Sequence, residues 1–181
     1  EVPENVVVGK ASREVFETIN GELNQMVLGQ IEASKEMTIA FRRPYVTGSD
    51  PNKIRNSILL TGSNGSGRHL LVNSMAQLLK KHGLIVTSEI ITLDMSRYQS
   101  PAQETLFLQD LYVALNQKNA IIIIENMEEG HPVFNRMLSE LVVEGTLTLN
   151  KRYVFKQNQM QLASDGLTSE VIDSLNGNNK V

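Results

Sequence analysis

Eight consecutive residues carry the most pointed chemistry in this chain: Gly62-Ser63-Asn64-Gly65-Ser66-Gly67-Arg68-His69. Glycines at 62, 65 and 67 let a backbone fold closely around an anion, because glycine accepts left-handed φ at no steric cost and brings no Cβ against a ligand. The frame is Gly, four residues, Gly, and then two positions that in a phosphate loop hold Lys and Ser or Thr. Here they hold Arg68 and His69. A guanidinium can pair with phosphate oxygens, but its planar fork is bulkier than an ammonium. An imidazole is a poor ligand for magnesium, which prefers oxygen, so His69 reads as a helix-opening or partly packed residue. The backbone of an anion site is legible while its two chemical side chains are exchanged.

A second group stands at Glu125-Asn126, directly after four isoleucines, Ile121 to Ile124. An apolar strand ending in two carboxylates supplies phosphoryl-transfer chemistry with a ligand for magnesium-bound water and a base for the attacking water. Glu125 can accept bonds from metal-bound water. Asn126 can orient a water and cannot take its proton. A general base contributes roughly 10² to 10⁴ in rate, so the amide forgoes about 3 to 5 kcal/mol of transition-state help. Among the other titratable residues, His131 before Pro132 reads as a loop residue preceding a helix, and His82 beside Lys80 and Lys81 as a cationic helix end favoured by the dipole. Arg42 and Arg43 read as a solvated helix end, and Met26, Met75 and Met137 as packing.

The elements that position these residues follow from apolar spacing. Ser57–Thr61 is a short apolar run of the kind a buried parallel strand needs, and Leu70–Leu79 has helical spacing, so the glycine loop is a strand-to-helix turn. Upstream, residues 1–11 form an arm or linker. Ser12 caps a helix running to about Val27 with Val15, Ile19, Leu23 and Met26 or Val27 on one face. After Gly29 a second helix runs from Gln30 to Arg43, where Pro44 ends it. Downstream, Gly83 stops the loop's helix and Leu84–Leu93 is a strand. Ala102–Gln117 is a helix with Leu108, Leu111 and Leu115 inward, and Ala120–Ile124 a strand covered on both faces. Pro132 opens a helix with Phe134, Met137, Leu138 and Leu141 inward, closed by Gly145. Thr146–Phe155 suggests a small hairpin about Asn150, Asn158–Ala163 a core strand, and Thr168–Leu175 a short helix. Strands alternating with long helices predict an α/β fold of three layers, a mostly parallel sheet with helices on both faces and ligands beyond the carboxyl ends of the strands.

Composition bounds the reading. The 181 residues, 41% hydrophobic and 20% charged, suffice for one domain with a sizeable core. A net charge of -3 with scattered Lys and Arg argues against nucleic acid as a partner. No apolar run reaches the roughly 18 residues of a membrane helix, which argues against a membrane partner. The absence of cysteine excludes thiolate zinc and disulfides and fits a cytoplasmic location. Starting at Glu1 and ending in a polar tail, 176–181, the chain is expected to be a piece of a longer protein.

Several segments in order resemble one family, the AAA+ ATPase domain of Clp-type unfoldases and disaggregases, most nearly the second ATPase module of its two-ring members. Val27-Leu-Gly-Gln30 with the helix ending Phe41-Arg-Arg43 and then Ser49-Asp-Pro-Asn52 is similar to the family's lead-in, whose turn packs near adenine. Leu93-Asp-Met-Ser-Arg-Tyr98, Glu129-Gly-His-Pro-Val-Phe-Asn135 and Glu144-Gly-Thr-Leu-Thr148 resemble the segments after its core strands. The resemblance implies a phosphate-loop NTPase fold, the AAA+ large subdomain, over 12–175, with the helical lid beyond Val181. It implies adenine contact at Val27 and Leu28 and phosphate contact along Gly62, Ser63, Asn64, Gly65, Ser66, Gly67, Arg68 and His69. Glu125 and Asn126 stand at the family's acidic pair, and Asp165 at its γ-phosphate sensor, where a carboxylate repels phosphate. The substrate-gripping loop has no counterpart in Gln99–Asn119, which lacks glycine. The implied cofactor is ATP or ADP, held weakly, with Mg2+ poorly served, and the implied partners are proteins or other subunits of an AAA+ assembly. The function implied is a nucleotide-binding module of a chaperone or protease-associated ATPase with little or no hydrolysis. The alternative is a pseudo-ATPase serving assembly without nucleotide. A phosphate-loop kinase fits less well, since it too needs the missing lysine.

Overall fold

The computed structural model of the chain describes residues 11–50, 52–63, 65–117, 120–163 and 170–177. They divide into two compact units, one from the described residues of 1–50 and 55–90, the other from those of 51–54 and 91–181. About half of the described residues are helical, and the class is mixed α/β.

The first unit is built on three helices, α1 (Ala11–Met26), α2 (Ile31–Thr47) and α3 (Arg68–Lys81). Phe16, Ile19 and Leu23 recur at helical spacing on α1 and are fully buried, with Val27 one turn further on. α1 packs against α2, which buries Met37 and Phe41, and against α3, which buries Leu71, Met75 and Leu79. Each such side chain contributes about 1.5 to 3 kcal/mol by leaving water. At the end of α3, Lys81 meets Glu22 of α1 at 2.8 Å, and His82 stands 3.4 Å from the same carboxylate. Gly83 follows with φ 72°, the left-handed stop its sequence position suggests.

Two expectations fail in this unit, each for a visible reason. Pro44 does not end α2, which continues to Thr47 with the proline inside it. Proline has no N–H to give the carbonyl of Ala40, and the side chain of Asn56 supplies the missing donor, Nδ2 to Ala40 O at 3.0 Å. Beyond the proline, Tyr45 rewards continuation: its ring lies 5.6 Å from that of Phe16 and its hydroxyl donates to the Leu84 carbonyl at 3.0 Å. The second failure is Ser57–Thr61, which forms no strand and is not buried; Leu59 is 83% exposed. The segment has no ladder partner among the described residues, and without one an apolar run has nothing to hold it flat.

The second unit holds all but the first residue of β1 (Ile90–Asp94), which pairs in parallel with β2 (Ile121–Glu125). Between them lie two short 3-10 turns, Met95–Arg97 and Pro101–Gln103, and helix α4 (Glu104–Asn116). The strand expected over Leu84–Leu93 therefore begins only at Ile90. Ile121 is buried while Ile122, Ile123 and Ile124 are half-buried, so β2 is less enclosed than an unbroken isoleucine run suggests. Helix α5 (Pro132–Glu144) opens on His131, whose Nδ1 accepts from the Val133 amide, and closes on left-handed Gly145.

The remaining strands form a separate antiparallel sheet in the order β4-β3-β5, made of β3 (Thr146–Lys156), β4 (Gln159–Leu162) and β5 (Ile172–Asn176). The expected reversal at Asn150 is absent: β3 runs through with a register irregularity between Thr148 and Tyr153. The hairpin turns instead at Gln157-Asn158, with φ of 51° and 59°, between the paired Lys156 and Gln159. The helix expected over Thr168–Leu175 does not form in its described part, since Ile172 to Leu175 lie in β5 against β3. Asn158–Ala163 contains a strand, but an antiparallel edge one with only Met160 buried. The mostly parallel sheet is thus represented among the described residues by one parallel pair. The core of this unit gathers Tyr98, Phe107, Phe134, Leu108, Leu111 and Tyr153, with Phe107 and Phe134 stacked at 4.7 Å.

Candidate functional site

The glycine loop leads directly into α3. Gly65 and Gly67 take left-handed φ of 78° and 82°, and Gly67 is the N-cap of α3 with no side-chain cap bond. The Ser66 amide closes a turn onto the Ser63 carbonyl at 3.2 Å. A Cβ at Gly62 would meet Ser66 Oγ at 2.8 Å, so a larger residue there would displace the Ser66 hydroxyl. That Ser66 hydroxyl is buried and has no hydrogen-bond partner among the described residues. A helix that starts without a side-chain cap presents its first N–H groups and the positive end of its dipole, the chemistry an anion takes. Arg68 and His69 begin α3. Asn64 lies outside the described residues.

Gln30, one residue before α2, donates from Nε2 to the Ser66 carbonyl at 3.3 Å and so braces the loop. Val27 and Leu28 diverge. Val27 is 2% exposed, one helical turn beyond Leu23 in the apolar core, whereas Leu28 is 83% exposed. Gln30 was legible only as part of the Val27–Gln30 turn; its reach to Ser66 spans 36 residues and has no local signal.

In the second unit, Glu125 ends β2 and Asn126 follows in a left-handed conformation, φ 52°. Asn126 Nδ2 donates to Asp94 Oδ1 at 2.9 Å, at the carboxyl end of the neighbouring strand. The same carboxylate oxygen accepts from the Ser96 amide at 3.0 Å, capping the first 3-10 turn. These bonds, the one from Asn126 foremost, hold the Asp94 carboxyl below the usual carboxylate range. Asn126 is thus engaged with a neighbouring side chain. Asp94 is a participant that sequence reading passed over as one letter of a longer segment. Asp165 lies outside the described residues.

Around this strand end the packing is tied by buried tyrosines. Tyr98 donates to Asp110 Oδ2 at 2.5 Å, and Arg97 stands 3.4 Å from the same carboxylate. Tyr153 donates to Glu104 Oε1 at 2.8 Å, with Lys151 3.3 Å from Glu104. Burial first, and then the carboxylate partner, push both phenols above their ordinary pKa. Among the described residues, no three His, Asp or Glu side chains gather in a way that could hold a metal ion. No described helix is long and apolar enough to cross a membrane.

Sequence comparison finds similar proteins among the Clp chaperones and protease subunits. The chain is 25% identical to the chaperone protein ClpB of Porphyromonas gingivalis over 177 residues, covering 90% of this chain and 20% of that protein. It is 24% identical to a ClpA homolog, an ATP-dependent Clp protease ATP-binding subunit of Guillardia theta, over 193 residues covering 97% of this chain and 23% of the relative. To the chloroplastic chaperone protein ClpC2 of Oryza sativa it is 28% identical over 166 residues, 83% of this chain and 18% of the relative. No protein-family model matches. The chain spans about a fifth of the length of the curated relatives it matches. These likenesses, at low identity over most of the chain, support a Clp-type relationship.

Proposed function

We propose that the chain is a Clp-like AAA+ nucleotide-binding module of a chaperone or protease-associated ATPase, of the three-layer phosphate-loop lineage, that holds ATP or ADP with little or no hydrolysis. The observation that carries the reading is the loop geometry: Gly65 and Gly67 left-handed, a buried unpartnered Ser66 hydroxyl, and α3 beginning without a side-chain cap. Backbone amides of this loop and the first turn of α3 would hold the phosphates, with Arg68 pairing to their oxygens. A bound nucleotide supplies a phosphoanhydride as the bond open to hydrolysis. The chain's own residues do not complete that chemistry: Arg68 and His69 replace the ammonium and the hydroxyl, and the amide of Asn126 is engaged with Asp94. Gly62 and Ser63 belong to the same loop, and Leu28 is the exposed member of the adenine-edge pair, Val27 being buried; Asn64 and Asp165, assigned by resemblance to the loop and to a sensor position, lie outside the described residues. Glu125 is the remaining carboxylate of the acidic pair. Partners are other proteins or subunits of a cytoplasmic assembly.

The test is calorimetric titration of ATP and ADP with and without Mg2+. Binding without measurable phosphate release supports the reading. The Arg68→Lys, His69→Thr pair is expected to strengthen magnesium-nucleotide binding, and an unchanged affinity counts against the site. A second reading, a pseudo-ATPase serving assembly without nucleotide, is favoured by the exchange of the phosphate-loop lysine and hydroxyl for Arg68 and His69. No binding at millimolar nucleotide selects it.

A further inference from the structure

We propose that Asn126 is a positioning residue whose amide clasps the carboxylate of Asp94 and so fixes the carboxyl ends of β1 and β2 to each other. The clasp demands an amide at the position where a water-activating carboxylate would otherwise stand. Its bearing on hydrolysis rests on the function proposed above; the clasp itself stands on geometry alone.

The bond is 2.9 Å long and joins residues 32 apart in sequence. Its acceptor is committed, because Asp94 Oδ1 also receives the Ser96 amide. Its donor is held in register by the backbone: Asn126 is left-handed, a conformation that asparagine tolerates better than other non-glycine residues, and its carbonyl accepts the Glu129 amide at 2.9 Å. The two loops are laced further along their length. The His131 amide donates to the Tyr98 carbonyl at 2.8 Å, and a Cβ at Gly130 would come within 2.9 Å of Met95 Cβ. The charged and titratable groups acting on or felt by Asp94 are Arg97, which favours its charge, and the Tyr98 phenol. A carboxylate at 126 would confront Asp94 at hydrogen-bonding distance with no proton between them, and like charges so placed drive one of the pair to bind a proton or the loops to part. Restoring a base at this strand end therefore requires a change at Asp94 as well.

The experiment follows the Asp94 carboxyl carbon by NMR as pH is varied, together with thermal melting, in the whole chain. Asn126→Gly accepts the left-handed backbone and removes the side chain that carries the amide. The expected result is a folded protein in which Asp94 titrates closer to the ordinary aspartate value of about 3.9. Asn126→Asp, nearly isosteric, is expected to melt lower at neutral pH and to recover part of the loss when Asp94→Asn is added, since that removes the like charge facing position 126 while the amide oxygen then at position 94 still accepts from Ser96. An Asp94 titration unmoved in Asn126→Gly, or an Asn126→Asp loss undiminished by Asp94→Asn, overturns the clasp. Neither readout involves nucleotide, so failure of nucleotide binding leaves the test of the clasp intact.

Discussion

The bond from Asn56 to Ala40 offers a test of how a proline is carried inside α2. Removing the amide in Asn56→Ala strips the Ala40 carbonyl of a donor that stands 3.0 Å away. Ala40 is exposed enough for water to replace part of what is lost, so the cost lies at the low end of a lost hydrogen bond, about 0.5 to 1.5 kcal/mol. For a chain of this size each kcal/mol moves the melting temperature by roughly 2 to 4 °C. Pro44→Ala returns an N–H four residues after Ala40, the natural helical donor, and stabilises α2 by roughly 1 to 3 kcal/mol. In that background the Ala40 carbonyl no longer depends on Asn56. The two substitutions should therefore couple by on the order of 0.5 to 1 kcal/mol, with Asn56→Ala less costly beside Pro44→Ala than alone. Urea unfolding followed by far-UV circular dichroism on the wild type, both single variants and the double variant measures this directly. Equal cost of Asn56→Ala in the two backgrounds would refute the compensation, and Asn56 would then be acting through some other contact.

Two further outcomes are expected. Gly145→Ala should lower stability by about 2 to 5 kcal/mol, combining left-handed strain at φ 77° with a Cβ that would collide with the Asn52 carbonyl oxygen; a variant that melts like the wild type would show that residues 52–54 are free to lift away. Tyr45, Tyr98 and Tyr153 have phenols raised above their ordinary pKa, burial being the first cause in each. The folded chain keeps protons that the unfolded chain gives up above about pH 10, so this stability is full below about pH 10 and is lost as pH climbs past it. Ultraviolet titration of phenolate should show these three tyrosines ionising late, and together with unfolding; early ionisation in the folded protein would contradict the carboxylate pairings of Tyr98 and Tyr153.

Helical spacing was the most readable signal. α3, α4 and α5 fall where their apolar stripes and their glycine and proline punctuation set them, because these cues act within a few residues. Pro44 misleads for the opposite reason: Asn56 answers the missing donor from another segment, and Tyr45 is drawn onward by Phe16 and Leu84. The hairpin was misplaced because Gln157 and Asn158 adopt positive φ without a glycine to announce it, while Asn150, a frequent turn residue, sits inside a strand. Ile172 to Leu175 satisfies either period over so few residues, and the free side of β3 decides for strand. At the candidate site the glycine frame was legible as local backbone demand. The partnerships of Gln30 with Ser66 and of Asn126 with Asp94 were not, since each is made by folding across more than thirty residues.

The far side of β4 is stoppered. The Met160 amide, turned away from β3, is taken by the side chain of Gln109 at 3.0 Å, so a foreign chain cannot dock its backbone there without first evicting that glutamine. The opposite margin of this small sheet, along β5, has no strand beside it among the described residues. Aggregation by stacking sheet margins needs two open sides per molecule to propagate. Backbone pairing of this sheet with a second copy is therefore directed to the β5 margin, where no glutamine side chain stands in the way of the ladder.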